Sequence, residues 1–252
     1  MTRPCPVNMI PATLAFRPNG SPYSPEYGDI YHSIVGSLAQ SHHVFLQGNG
    51  LPGRWQGRPT FTVLETGFGM GINFLTTWAA WRADSARSER LHFVSIEKHP
   101  FSTDDLRRAY AVTVDDESVL ALADTLAAAW PPLEPGTHQL DFDDGRVTLT
   151  LIFGDAVKIL PTLRLRANAF YLDGFAPAKN PELWTPTIFN SLAALAGDDT
   201  TFSTYTSAGD VKRALLQAGF EYRKVAGFGW KRAMLVGRFV PRQEREGAGG
   251  KP

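Results

Sequence analysis

Four carboxylates in this chain each close a run of apolar and β-branched residues. Glu65 ends Thr60–Glu65, Glu97 ends 91–97, Asp155 follows Val147–Phe153 across Gly154, and Asp173 ends 169–173. Any one of them could cap a helix or sit in a solvated loop. Four in succession predict a common polar rim, because parallel strands open onto one crevice at their C-terminal ends. Carboxylates placed there can accept from ribose hydroxyls, hold an amino group, or take a proton from a nucleophile. Glu65 runs straight into Thr66-Gly67-Phe68-Gly69-Met70-Gly71. Glycines in a strand-to-helix turn allow close backbone approach to a ligand that faces the helix N–H groups. The dinucleotide spacing G-x-G-x-x-G fails because residue 72 is Ile. The phosphate-cradling loop fails because Ile72-Asn73 follows Gly71 in place of Lys-Ser/Thr.

The elements that would position these groups alternate. Strands are expected at Thr60–Glu65, 91–97, Val147–Phe153, 169–173 and 201–206. Helices are expected at 72–82, 102–111 (with Ser102 or Thr103 as N-cap), 116–130 (stopped by Pro131-Pro132), 185–196 and 208–217 (closed by Gly219). Strand–helix alternation predicts an α/β fold with a mostly parallel, doubly wound sheet. The last two strands, 220–225 and 233–240, are joined too tightly for a crossover and should form a C-terminal antiparallel hairpin. Trp78, Trp81 and Trp130 read as core, and His42-His43 receive no role.

Composition bounds the reading. At 43% hydrophobic and 20% charged residues the chain is neither disordered nor collagen-like. No apolar run reaches the roughly 20 residues of a membrane span, and residues 1–6 lack a secretory signal, so a cytoplasmic location is expected. A lone Cys5 excludes an intrachain disulfide and a cysteine-built metal site. Net charge is zero with 25 basic and 25 acidic residues, yet Lys212 to Arg242 holds eight basic residues against Glu221. Such a local patch could meet a polyanion or could simply be a solvated face. One domain over 1–240 is expected, with an N-terminal extension to about 58 and a disordered tail over 241–252.

The G-x-G-x-G spacing behind a strand-end acid resembles motif I of the S-adenosylmethionine (SAM) methyltransferases. Phe45-Leu46-Gln47-Gly48-Asn49, ETGFGMGINF (65–74), DGFAPAKNP (173–181), TYTSAG (204–209) and GFGWKRAM (227–234) together closely resemble the methyltransferase domain of the MnmC family. The likeness runs in order from about Tyr23 to Phe239. In that family this domain is often fused to an oxidase, and the chain resembles the methyltransferase part without it. Trp230 and Ala233 stand where the family loop carries Arg and Glu, and Gly197-Asp198-Asp199 replaces a Pro-Gly-Gly turn.

The resemblance implies a Rossmann-like fold and SAM as cofactor, held by Asn49, Glu65, Gly67, Gly69, Gly71, Asn73, Glu97 and Asp155. It implies methylation of the amine of 5-aminomethyl-(2-thio)uridine at the tRNA wobble position. A separate enzyme would supply the aminomethyl group. Asp173 is the candidate for orienting the amine and accepting its proton. Phe175 would stack on the displaced uracil, and Lys179, Lys231 and Arg232 would meet phosphates of the anticodon stem-loop. A sulfonium donor is already activated, so no metal is required. Two other readings stay open: an aminopropyltransferase of the same fold, or a non-catalytic RNA-binding domain.

Overall fold

The structure is a computed structural model of the whole chain, and residues 9–32 and 36–241 are described. The expected tail over 241–252 falls almost wholly outside them, as do Cys5 and Arg242. The N-terminal part opens with three short antiparallel strands, β1 (Ala15–Phe16), β2 (Pro22–Ser24) and β3 (Asp29–Ile30). Then come α1 (Ser37–Ser41), a π-helical turn (His42–Leu46) and a 3-10 turn (Gln47–Asn49).

The main sheet and its helices follow as β4 (Thr60–Glu65), α2 (Ile72–Ala83), β5 (Arg90–Glu97), α3 (Thr103–Thr113), α4 (Glu117–Ala128), β6 (Gly136–Phe142), β7 (Val147–Phe153), α5 (Ala156–Ile159), β8 (Ala167–Tyr171), α6 (Pro186–Leu195), β9 (Ala196–Thr204), α7 (Gly209–Ala218), β10 (Phe220–Val225) and β11 (Met234–Phe239). The eight strands lie in the order β10-β11-β9-β8-β4-β5-β7-β6. Strands β9, β8, β4, β5 and β7 are parallel, and β10 pairs antiparallel with β11, as expected.

Neighbouring residues of the central strands serve opposite faces. Val63, Phe93 and Ala169 enter one core with Trp55, Phe74 and Trp78, whereas Leu64, Val94 and Phe170 enter the other with Phe189 and Leu215. Burial on both faces is why these strands read as nearly continuous apolar runs. Local chemistry sets the helix starts. The Ser102 hydroxyl accepts from the Asp105 N–H at 3.1 Å, and Asp116 accepts from the N–H groups of Ser118 and Val119. Gly219, at φ 94°, closes α7.

The short N-terminal strands β1–β3 were not expected from the sequence, and two strand assignments in the main sheet differ from the expectation. β6 was not foreseen: it is an edge strand whose residues are largely exposed, so it carries no strong apolar alternation. Its hairpin to β7 turns on Asp143, Asp144 and Gly145, all at positive φ. β9 begins at Ala196, so the expected turn Gly197–Asp199 lies inside the strand, where Asp199 pairs with Arg58 at 2.6 Å.

The sheet reverses its winding between β4 and β8. This is the switch point at which open α/β sheets form a crevice. No helix among the described residues is long and apolar enough to cross a membrane.

Candidate active site

A cavity of about 590 Å³ opens at that switch point. Its walls come from the strand-end loops after β4, β5, β7 and β8, from Tyr205 beyond β9, from the β10–β11 loop and from the N-terminal strands. Three of the four strand-end acids, Glu97, Asp155 and Asp173, line it. Glu65 does not. It is fully buried beneath the glycine loop, where its two oxygens accept from Asn73 Nδ2 (2.8 Å) and Ser95 Oγ (2.7 Å). Burial pushes its carboxyl well above the usual range, against the pull of those two hydrogen bonds.

Asn73 Nδ2 also donates to Asp173 Oδ2 at 2.7 Å, while its Oδ1 accepts from Ser41 Oγ at 2.7 Å. The amide on α2 thus ties a buried carboxyl to a cavity-lining one and fixes the Asp173 rotamer. Asp173 Oδ1 accepts from the Gly174 N–H at 2.9 Å. Burial raises the Asp173 carboxyl, opposed by these hydrogen bonds and by the charge of Lys231. Its backbone is bolted to the glycine loop through Thr66, whose hydroxyl donates to Asp173 O (2.7 Å) and accepts from Asp173 N (3.1 Å).

The glycines have distinct reasons. A Cβ on Gly67 would meet the Asp173 carbonyl at 3.2 Å and Gly174 Cα at 3.3 Å. Gly69 needs its freedom for a φ of +53°, since the nearest atom to its Cβ position is an ordinary 3.6 Å away on Tyr31. Across this loop the Gly69 N–H donates to Glu97 at 2.8 Å, and the other Glu97 oxygen accepts from His99 N–H at 2.7 Å. Asp155 caps α5 through Val157 N–H at 2.9 Å.

Residues 117–239 match the sequence profile of an S-adenosyl-L-methionine-dependent methyltransferase family. The chain is 71% identical over 234 residues to the tRNA 5-methylaminomethyl-2-thiouridine biosynthesis bifunctional protein MnmC of Paraburkholderia xenovorans, and 65% identical to that of Burkholderia thailandensis. Each match covers 93% of this chain and 36% of the relative, so the chain spans about a third of those proteins' length. The crystal structure of MnmC2 from Aquifex aeolicus superposes with a TM-score of 0.71 at 22% identity, over 95% of this chain and 75% of that one. The fold is the one that the Aquifex aeolicus structure shows, and the family that residues 117–239 match takes SAM as its cofactor.

The cavity fits SAM in size and chemistry. Its volume falls in the range of sites for ligands of that size. Backbone groups of Gly67 to Met70 face the cavity, and the Glu97 and Asp155 carboxylates beside them keep acceptor capacity beyond their present bonds. The cavity carboxylates leave the aminopropyl-transfer reading chemically reasonable, but the relatives do not favour it.

The remaining sequence expectations sort by position. Asn49 is a correction: it is buried away from the cavity, with Nδ2 donating to Ser203 Oγ (2.7 Å) and Phe45 O, and Oδ1 accepting from Thr201. Its amide locks the 3-10 turn to β9, so no group is left for a cofactor. Glu65 and Gly71 likewise sit behind the wall; Gly71, at φ 73°, starts α2. Phe175 reaches the cavity, where it stacks on Tyr27 (4.4 Å between centroids) and meets Tyr31 edge-on. Lys231 lies in the wall, with Nζ 3.8 Å from the Tyr205 ring centroid. Lys179 and Arg232 are exposed and outside the lining. Trp78 and Trp81 are core, while Trp130 stacks on Phe68.

Sequence reasoning missed Asp29, Tyr27, Tyr31, Ser41 and Tyr205. Asp29 accepts from the Ala176 N–H at 3.0 Å and lines the cavity, and the Tyr205 hydroxyl donates to Gly174 O at 2.8 Å. Tyr205 stood inside the quoted TYTSAG stretch. The others come from an N-terminal segment whose apolar spacing carries no site signal.

Proposed function

We propose that this chain transfers the methyl group of SAM to the primary amine of 5-aminomethyl-(2-thio)uridine at the tRNA wobble position, giving 5-methylaminomethyl-(2-thio)uridine. The observation that carries the reading is the junction of Asp173 with the glycine loop. Thr66 and Gly67 hold the backbone of Asp173, whose carboxylate lines the cavity, directly against the loop that would seat the donor. Tight positioning of this kind suits a reaction governed by in-line approach of nitrogen to an activated methyl. The 71% relatives bear the name of this tRNA modification.

Bound SAM supplies a sulfonium methyl whose departing bond pair stays on sulfur. The residues of the chain handle the amine. Asp173, its rotamer set by Asn73 and Gly174, orients the nitrogen and accepts its proton, directly or through water. Phe175, braced by Tyr27 and Tyr31, offers a ring face to the uracil after it leaves the anticodon stack. Glu97 and Asp155 take hydroxyl and amine donors of the cofactor. The anticodon stem-loop is the macromolecular partner, a separate activity supplies the aminomethyl group, and the reaction is placed in the cytoplasm.

The test is labelled-methyl transfer from SAM to an anticodon stem-loop carrying 5-aminomethyluridine, beside a thermal-shift titration with SAM. Saturating SAM at 100 times its Kd should add about 2.7 kcal/mol of stability. Transfer confined to the aminomethylated RNA supports the reading. No thermal shift, or no transfer, overturns it.

A further inference from the structure

The amine side of the cavity holds a cation that a phosphate contact does not explain. Lys231 is half-buried, with its ammonium 3.8 Å from the centroid of the Tyr205 ring. Asp29 and Asp173 both act on its charge, yet neither closes an ion pair with it among the described residues. Its neighbour Arg232 is the exposed one, as a phosphate-binding side chain should be. Lys231 instead lines the cavity, as does the carboxylate assigned to the amine.

That arrangement poses a chemical problem which Lys231 answers. Two carboxylates and an aromatic face make a good seat for an alkylammonium ion. An ammonium ion has no lone pair and cannot attack a methyl group. A seat built only from Asp29, Asp173 and Tyr205 would therefore hold the substrate in its dead form. We propose that Lys231 is the counter-charge of this seat, keeping the substrate amine neutral and nucleophilic while Asp173 orients it. The proposal rests on the substrate reading above.

In the balanced step the nitrogen lone pair forms the new N–C bond as the C–S bond pair passes to sulfur. The resulting secondary ammonium releases its proton through Asp173 to water. The groups facing the amine are Asp29 from β3, Asp173 after β8 (with buried Glu65 behind it through Asn73), Tyr205 after β9, and Lys231 from the β10–β11 loop. His43, under that loop, bonds to Ala226 O at 3.0 Å. Glu97 and Asp155 lie on the cofactor side. Of the other cations in the cavity lining, Arg17 lies over the Tyr23 ring and Lys98 pairs with Glu182, which leaves Lys231 and a bound sulfonium to be set against these carboxylates.

The experiment measures single-turnover methyl transfer against pH, at saturating SAM and saturating aminomethylated stem-loop, for the wild type, Lys231→Met and Lys231→Arg. Lys231→Met should move the midpoint of the rate profile up by about one to two pH units. The rate would fall about 10–100-fold at pH 7 and recover at alkaline pH. Lys231→Arg should keep the wild-type midpoint, and all three proteins should bind SAM alike. If the Met variant fails to fold, Lys231→Gln carries the same expectation. A uniform loss at every pH would overturn the role, as would a normal rate with weaker RNA binding alone. No transfer by the wild type would overturn the substrate reading itself, and the role with it.

Discussion

The two halves of the cavity are built by different means. The cofactor half relies on backbone: the Gly69 and His99 N–H groups hold Glu97, the Val157 N–H holds Asp155, and a positive φ shapes the loop. The amine half relies on side chains from five elements, Ser41, Asn73, Asp173, Tyr205 and Lys231, with Glu65 and Ser95 buried behind them. The Glu97 and Asp155 carboxylates, anchored by backbone N–H donors, keep further lone pairs with which to accept. Carboxyls in the buried half are pushed upward, toward proton exchange. On the proposed function, the first half would bind the cofactor and the second would move the proton.

The largest effect should come from breaking the amine half alone. Asp173→Asn removes the proton acceptor but keeps an oxygen for the Asn73 amide. Turnover should fall by ~10²–10⁴ with SAM affinity retained, and raising the pH should restore part of the rate by neutralising more amine. Single-turnover transfer and SAM calorimetry check this together. Loss of SAM binding would show that the halves are not separable at Asp173.

The mirror-image change is Glu97→Ala. It should weaken SAM by about 1.5–3 kcal/mol for each hydrogen bond lost to the charged acceptor. The transfer rate at saturating SAM should stay near the wild-type value. A drop in that saturated rate of the size expected for Asp173→Asn would erase the distinction between the halves.

What the sequence made legible follows the same division. The alternation of strands and helices, the helix cap at Ser102, and the glycine loop could be read because each rests on local backbone chemistry with its own residue signature. Glu97, Asp155 and Asp173 could be read because strand ends of a parallel sheet converge. Asn49, Glu65 and Gly71 lie outside the cavity lining because a motif residue need not face the cavity. All three stand one layer behind the wall, and only three-dimensional packing separates a contact from its support. Asp29, Tyr31 and Ser41 were invisible because the N-terminal segment reaches the site over the strand ends, through contacts between residues far apart in the chain. Edge strand β6 was missed because its exposed residues give no apolar period.

A smaller effect should appear in stability. The Glu65 carboxyl is raised well above its unfolded value near 4.3, so its favourable contribution is complete below that pH. It is lost as pH rises through the folded value. Glu65→Gln mimics the protonated form at every pH and should flatten that part of the stability curve. Urea unfolding of both proteins across pH 4 to 8 gives a difference curve that rises with pH in favour of the variant. Carboxylates held low at the surface, such as Asp84 and Asp116, cancel in that difference. A flat difference would mean that Glu65 is not the titrating group of the buried layer.

The smallest effect concerns the mouth, which belongs to neither half. Lys179 and Arg232 are exposed and outside the cavity lining, while Trp230, at 86% the most exposed large apolar side chain among the described residues, stands on the rim. Each phosphate contact to a single-stranded segment adds about 0.7 to the slope of log affinity against log salt. Lys179→Ala with Arg232→Ala should therefore flatten the salt dependence of stem-loop binding by up to about two contacts. SAM affinity and the saturated transfer rate should not change, since neither side chain reaches the cavity. Trp230→Arg should act in the opposite sense, steepening the slope by about one contact. It should also forfeit any stacking of an anticodon base on the indole, which is insensitive to salt. Binding titrations at several salt concentrations separate these terms. An unchanged slope in the double variant would make Lys179 and Arg232 an ordinary solvated surface and leave RNA recognition to the cavity walls.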